Sequence, residues 1–152
     1  MSDSIALKGE AREVALAEAQ TVLAMARDET MRSRLAELVG AVDDGEVGGD
    51  SAELLESVLE LGLQTGRVRA YYGPGGERAA LSTLRKLPRG QVRSTSAQEV
   101  STALAALAGS TIDAVKIAAV APGAFTLSIE AGGVQASVRL DGNGARLTSL
   151  AT

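Results

Sequence analysis

The spacing of apolar residues predicts three helices in the first 66 positions. Between Glu10 and Val42 apolar residues recur at intervals of three and four, but the apolar stripe changes phase near Arg27-Asp28. This change predicts two helices with a break at that point, and one long bent helix is the alternative. From Asp50 up to Gly66, which suits a left-handed C-cap, the pattern is apolar nearly all round, and this predicts a helix at the centre of the core.

The last third of the chain changes from a helical to an alternating pattern. Ser96, with an acid three residues later, predicts the start of a helix at residues 96–108. Four alternating runs follow, separated by Pro122-Gly123, Gly132-Gly133 and Asp141-Gly142-Asn143-Gly144. Short turns of this kind join antiparallel neighbours. We therefore expect a four-stranded meander with the helix packed across its apolar face.

The segment between these parts, residues 67–93, has a mixed pattern. Residues 67–71 alternate polar and apolar side chains and end in an aromatic, which predicts a short strand. Gly73-Pro74-Gly75-Gly76 cannot continue a strand, because proline lacks the ladder donor and glycine favours turns. Pro74 also suits the first turn of a helix, whose pattern then continues up to Pro88. The predicted order is strand, glycine turn, helix.

Together these elements predict an α+β fold: a helical N-terminal half, then a helix packed on a C-terminal four-stranded antiparallel meander. We expect a mobile N-terminal arm at residues 1–9 and a single domain at residues 10–152. That domain comprises an acidic helical part (10–66), a basic strand-turn-helix (67–93) and a helix plus meander (94–152). A chain of 152 residues is long enough to bury a core without disulfides.

Charge is distributed unevenly along the chain. Residues 1–66 carry 5 basic and 14 acidic side chains, residues 67–93 carry 7 and 1, and residues 94–152 carry 3 and 4. Such asymmetry is compatible with a basic face for nucleic acid or an acidic partner. The sequence pI of 4.9 favours another interpretation, in which the basic segment neutralises the acidic helices of its own fold.

The basic segment contains two sets of candidate binding residues. Tyrosine and arginine are enriched at the energetic centres of interfaces, which gives the candidate partner-binding residues Arg67, Arg69, Tyr71 and Tyr72. Free N–H groups at a helix start attract anions, which gives the candidate anion-binding residues Gly73, Gly75, Gly76, Arg78, Arg85, Lys86 and Arg89. The segment lacks the Gly-Lys-Ser/Thr sequence that ends a P-loop, so we favour a plain tight turn.

The composition excludes several kinds of chemistry. The chain has no cysteine and no histidine, which removes thiolate and histidine catalysis and the usual zinc sites. We expect no catalytic residues, no metal site and no cofactor. No apolar run is long enough to cross a bilayer, and we find no signal-peptide pattern, so we expect a cytoplasmic protein with no membrane partner.

Three functions are compatible with these observations. The first, which we favour, is a non-enzymatic protein-interaction module or oligomer subunit, including a homo-oligomer. The second is a domain that binds a phosphorylated ligand or nucleic acid through residues 67–93. The third and least favoured is an enzyme that uses carboxylates or Mg²⁺, with Glu77 as its candidate acid. If Arg67, Arg69 and Arg78 serve a partner, replacing all three by glutamine should barely change the thermal midpoint, because exposed ion pairs contribute little.

Overall fold

The computed structural model describes residues 4–152 as a set of helices followed by an antiparallel sheet. The α+β class is confirmed. The elements are β1 (Ile5–Ala6), α1 (Gly9–Met25), α2 (Glu29–Asp44), β2 (Glu46–Val47), α3 (Asp50–Gln64), α4 (Arg67–Lys86), α5 (Pro88–Leu104), a 3₁₀ turn (Ala105–Leu107), β3 (Ile112–Ala121), β4 (Ala124–Ala131), β5 (Val134–Asp141) and β6 (Gly144–Ala151).

The described residues form two compact units. The N-terminal unit extends to Gln91, and the C-terminal unit is Val92–Thr152. The single domain predicted for residues 10–152 stays a prediction. None of the helices in residues 4–152 has the length and apolar character needed to cross a membrane.

The N-terminal unit packs α1 to α4 around aliphatic side chains. Leu35 and Leu38 of α2 and Leu55 and Leu59 of α3 are fully buried. Burying a leucine contributes roughly 1.5–3 kcal/mol of transfer free energy, so these helices supply much of the core's stabilisation. The predicted break between α1 and α2 is confirmed: Asp28 caps α2 by accepting the Met31 N–H at 2.9 Å.

The predicted N-terminal arm needs a correction. Residues 1–3 lie outside the described part of the chain. From Ile5 onward the backbone is held, because Ile5 pairs with Val47, and Ala6 with Glu46, in a two-stranded sheet. Leu7 is buried in the core and donates its backbone N–H to the Gly45 carbonyl at 2.8 Å. Its apolar side chain anchors the start of the chain.

Residues 67–71 are helical, so the strand predicted there is wrong. Alternation over five residues is too short to distinguish the two periods, and the buried Val68 and half-buried Tyr72 are spaced at i, i+4, which suits a helix. The glycine turn appears instead as a kink inside α4. Gly73 has φ 70° and ψ −171°, which lie outside the helical region, and Pro74 begins the second part of the helix.

The helix predicted to begin at Ser96 begins earlier, at Pro88. Proline suits a first helical turn because its missing N–H would have no partner in the helix. The next two N–H groups, of Arg89 and Gly90, donate to the Glu56 carboxylate of α3 at 2.6 and 3.3 Å. A cap supplied from another helix therefore replaces the local cap that the sequence suggested.

In the C-terminal unit the predicted meander is confirmed, with strand order β3-β4-β5-β6 and antiparallel pairing throughout. The helical segment approaches the two turns that flank β5. At one end of β5, Arg93 lies within 3.8 Å of the position that a Cβ on Gly144 would occupy; at the other end, Ser110 approaches Gly132 in the same way. Val100, midway between them, is the buried residue of α5.

Candidate functional site

One face of the C-terminal sheet is apolar at every position. Residues paired directly across antiparallel strands project from the same face, so the register defines each face. The pairs that run through Ile117, Leu127, Val138 and Leu147 define the apolar face. Its members are Ile112, Val115, Ile117 and Ala119 of β3, Phe125, Leu127, Ile129 and Ala131 of β4, Val134, Ala136, Val138 and Leu140 of β5, and Ala145, Leu147 and Leu150 of β6.

The opposite face is mostly polar. The pairs through Lys116, Ser128, Ser137 and Ser149 define it, and charged side chains such as Arg139 lie on the same side. A sheet with one polar and one apolar face normally packs its apolar side against another layer. The sheet therefore requires a cover on the apolar face only.

The helical segment that includes α5 covers the middle of the apolar face but not its edge at β3. Ala136 and Val138 of β5 are buried, whereas Val115 is 54% exposed and Ile117 64% exposed. Ile112, Phe125, Leu147 and Leu150 of the same face are exposed as well. Exposed apolar side chains scattered singly are ordinary, but a contiguous set marks an interaction surface.

The widths of a helix and a sheet explain the open edge. Four strands spaced by about 4.8 Å make a face about 19 Å wide, whereas one helix with its side chains is about 10–12 Å wide. The helical segment along β5 thus leaves about half of the face uncovered. Leu147 and Leu150 form the uncovered part at β6. We call the uncovered part at the other edge, formed by Ile112, Val115, Ile117 and Phe125, the β3 strip.

The predicted partner-binding residues lie in the first part of α4, and two of them serve the fold. Glu18 of α1 is only 2% exposed, and its Oε1 accepts from Arg67 Nε at 3.1 Å. Arg67 Nη2 also donates to Thr21 Oγ1 at 3.0 Å. Burial and the neighbouring Glu18 carboxylate raise the pKa of Tyr72. Arg67 and Tyr72 are thus directed toward a buried acid of the same unit.

The other two predicted contact residues are exposed. Tyr71 is 72% exposed, with the Arg67 guanidinium 4.9 Å from its ring centroid. Arg69 is 70% exposed and lies 3.9 Å from Glu77. Partner binding by these four side chains stays a prediction. Tyr71 and Arg69 are the two that a partner could reach.

The predicted anion site is spread over the length of a helix. Gly75 lies in the first turn of the second part of α4 and Lys86 ends it, so about 16 Å separates them at a rise of 1.5 Å per residue. The Glu10 carboxylate already faces the glycine turn, since its Oε1 lies 3.1 Å from where a Cβ on Gly75 would be. Gly76 is buried against Tyr72 and Val14. An anion site here stays a prediction, and the Glu10 carboxylate beside it would repel an anion.

Arg89, the last predicted anion ligand, belongs to a second internal ion pair. Its Nε donates to Glu56 Oε2 at 3.0 Å, and Nη2 lies 3.6 Å from Glu60 Oε2. Glu56 is 1% exposed and also accepts the two backbone N–H groups at the start of α5. The hydrogen bond to Glu56 raises the pKa of Arg89, which keeps it charged.

Sequence reasoning missed both buried acids, Glu18 and Glu56. Each lies within an apolar pattern: Glu18 follows the buried Val14 by one helical turn, and Glu56 lies between Leu55 and Val58. An acid on the buried side of a helix is rare unless it is paired, so this position is the signal that could have found them. Their partners are far away in sequence and could not be identified from it.

The cavities of the N-terminal unit are open, and the charged side chains that line them include both acids and arginines. One of about 310 Å³ is lined mainly by apolar groups of α1 and α3, with Glu18 and Arg67 also in its wall. Another of about 650 Å³ lies between the end of α1 and the start of α2 and includes Arg27 and Arg32. Among residues 4–152 no group of three or more acids is placed to hold a metal ion.

Comparison of the chain with protein-family models, with curated proteins and with solved structures finds no match.

Proposed function

We propose that this protein is a non-enzymatic interaction module that binds another protein chain through the apolar face of its C-terminal sheet. The observation that carries the proposal is the β3 strip, an uncovered apolar edge on a sheet whose other face is polar. A protein surface of complementary apolar character is the occupant that this chemistry favours. A cytoplasmic location belongs to the same proposal and stays a prediction.

The alternative functions have less support from the observed geometry. For a phosphorylated ligand or nucleic acid, Arg67 and Arg89 would have to leave the buried acids Glu18 and Glu56. For an enzyme, Glu77 would be the candidate acid, and it lies beside Arg69 at the start of the second part of α4. An acid in a first helical turn also complements the helix dipole, which is a structural role. We therefore keep protein binding as the proposal.

A pair of neighbouring substitutions on β3 tests it. Ile117→Lys places a charge on the apolar face, whereas Ala118→Lys places the same charge on the opposite face of the same strand. Both side chains are exposed, so both variants should fold with a thermal midpoint close to that of the wild type. The measurement is quantitative mass spectrometry of proteins cross-linked to each form in the native host.

We expect wild type and Ala118→Lys to capture the same proteins and Ile117→Lys to lose them. We expect this loss because binding would bury the introduced ammonium group in an apolar interface, where a charge without a partner is costly. If Ile117→Lys captures the same proteins as the wild type at the same level, the apolar face is not the binding surface and the proposal is wrong.

A further inference from the structure

We propose that the partner on the β3 strip is a second copy of this chain, and that helix α5 of each copy covers the β3 strip of the other. This inference rests on the proposed function, since it names the occupant of the same surface. The arrangement is a three-layer sandwich, with two sheets whose apolar faces look toward each other and two α5 helices side by side between them. Each sheet then has two helices on its apolar face.

The first argument is the surface that α5 leaves exposed. Val100 is the residue of α5 that is buried, and Gln98, Thr102 and Ala105 lie on the opposite side of the helical segment at 100° per residue. These three side chains are exposed and uncharged. The Thr102 hydroxyl donates to the Gln98 carbonyl at 3.0 Å within the helix, so the threonine can turn its methyl group outward. Thr102 and Ala105 can therefore pack on an apolar sheet at little desolvation cost, whereas the Gln98 amide has to keep a polar neighbour or water.

The second argument is the lack of charge on both surfaces. The ridge of Gln98, Thr102 and Ala105 carries no charge, since the neighbouring Glu99 lies on the flank of the helix, and no charged residue occurs on the apolar face of the sheet. Partners from outside the chain usually bring a polar or charged rim to an interface, whereas homodimer interfaces are more apolar. The uncharged ridge of α5 and the uncharged β3 strip are therefore complementary, and both occur in the same chain.

The third argument is area. The β3 strip is about 10 Å wide and, from Ile112 to the level of Ala119, about 24 Å long, and the helical residues from Val92 to Leu107 also span about 24 Å, so each surface in contact measures about 240 Å². A two-fold dimer has two such strips and two helix sides, so it buries about 960 Å² in total. Specific interfaces begin at about 1,000 Å². The dimer is therefore at the lower limit of specific interfaces, and we expect it to be weak.

Sedimentation equilibrium of the full chain, from about 1 to about 200 µM, is the first test, because this range detects a weak dimer with a micromolar dissociation constant. We expect a monomer–dimer equilibrium for wild type and for Ala118→Lys. Ile117→Lys should raise the dissociation constant at least about tenfold, which corresponds to about 1.4 kcal/mol. Circular dichroism of each variant checks that the sheet is intact.

The second test locates the contact. The chain has no cysteine, so single cysteines can be introduced without background. We expect a bismaleimide to link Ile117→Cys in one copy to Thr102→Cys in another when the two variants are mixed. Ala118→Cys, on the opposite face, should not link to Thr102→Cys.

The results separate this inference from the proposed function. A wild type that is monomeric over the whole range, or a dimer that Ile117→Lys leaves unchanged, overturns the second-copy inference. A dimer without the link between positions 117 and 102 overturns the three-layer arrangement. If the wild type is monomeric but Ile117→Lys still loses captured proteins in the native host, the proposed function stands and its partner is a different chain.

Discussion

Glu56 joins α3 to the start of α5 through one carboxylate. It accepts the N–H groups of Arg89 and Gly90 and pairs with the Arg89 guanidinium. Glu56→Ala leaves the two N–H groups without an acceptor, so we expect a loss of about 1–3 kcal/mol in the free energy of unfolding. Urea denaturation measures it. Glu53→Ala, one turn earlier on the exposed side of α3, should stay within about 0.5 kcal/mol, and an equal loss there would contradict this account.

Arg67 and Arg69 are two residues apart and should behave differently. Arg67→Gln leaves Glu18, which is almost completely buried, without its cationic partner, and breaking a buried pair in this way costs about 3–5 kcal/mol. Arg69→Gln affects an exposed pair and should cost less than about 1 kcal/mol. Thermal unfolding of the two variants checks the difference. The geometry thus reverses the small effect that we expected from the sequence for replacing Arg67, Arg69 and Arg78 together.

Tyr72 makes stability depend on alkaline pH. Its pKa in the folded protein is raised above the unfolded value near 10, mainly by burial and then by Glu18. The neutral phenol therefore stabilises the fold at pH values below about 10, and this contribution is lost as pH rises through the folded pKa. Tyr72→Phe should flatten the decline in unfolding free energy above pH 10. The Tyr71→Phe variant has Tyr72 as its single tyrosine, so its absorbance titration reports Tyr72 alone. Tyrosinate absorbance should appear at lower pH in the denatured variant than in the folded one. The same titration midpoint in both states would contradict the prediction.

At the scale of elements, Gly90 sets the corner between α4 and α5. A Cβ on this glycine would lie 1.7 Å from the Leu84 carbonyl oxygen, which is backbone and cannot move aside. Gly90→Ala should therefore cost about 3 kcal/mol, because the two helices must separate. Gly40→Ala in α2 is the matched control: it meets no atom within 4 Å and should stabilise the helix by about 0.5–1 kcal/mol. Equal effects in a denaturant titration would refute the close approach at Gly90.

The elements that could be predicted are those whose signals are local. Gly132-Gly133 and the other short turns fix antiparallel pairing by their own backbone geometry, and the alternating runs between them fix the register, so the meander followed from the sequence. Residues 67–71 were misread because five alternating residues carry no clear period. Ser96 was misread because the cap of α5 comes from Glu56, more than thirty positions earlier in the chain.

The candidate surface could be predicted only in part, for a related reason. The alternating runs identify the apolar face, but the amount left uncovered depends on the position of α5 along β5, which the sequence pattern does not contain. The ion pair of Arg67 with Glu18 depends on how α1 and α4 pack. Local patterns therefore indicated the sheet and the basic segment, whereas the fold determined which acids the arginines meet.

At the scale of the whole molecule, the two units differ in how much apolar material they bury. The N-terminal unit buries leucines on α2 and α3, whereas the C-terminal unit buries only alanine and valine among its described residues: Val100, Ala124, Ala131, Ala136 and Val138. Small side chains remove less apolar surface from water than leucine does. A unit of this size is marginal even with a full core, because small domains bury a smaller share of their surface.

This difference predicts that the C-terminal unit opens first. Hydrogen exchange of the full chain, followed by mass spectrometry, should show β3 and β6 exchanging through low-energy openings, while α2 and α3 exchange only near global unfolding. At dilute protein concentration, equal protection of both units, or protection highest in β3, would contradict the prediction.

If a second copy covers the β3 strip, exchange in β3 should slow as protein concentration rises, because association stabilises the folded form by mass action. Ile117→Lys should remove that concentration dependence while leaving α2 and α3 unchanged, since those helices belong to the other unit.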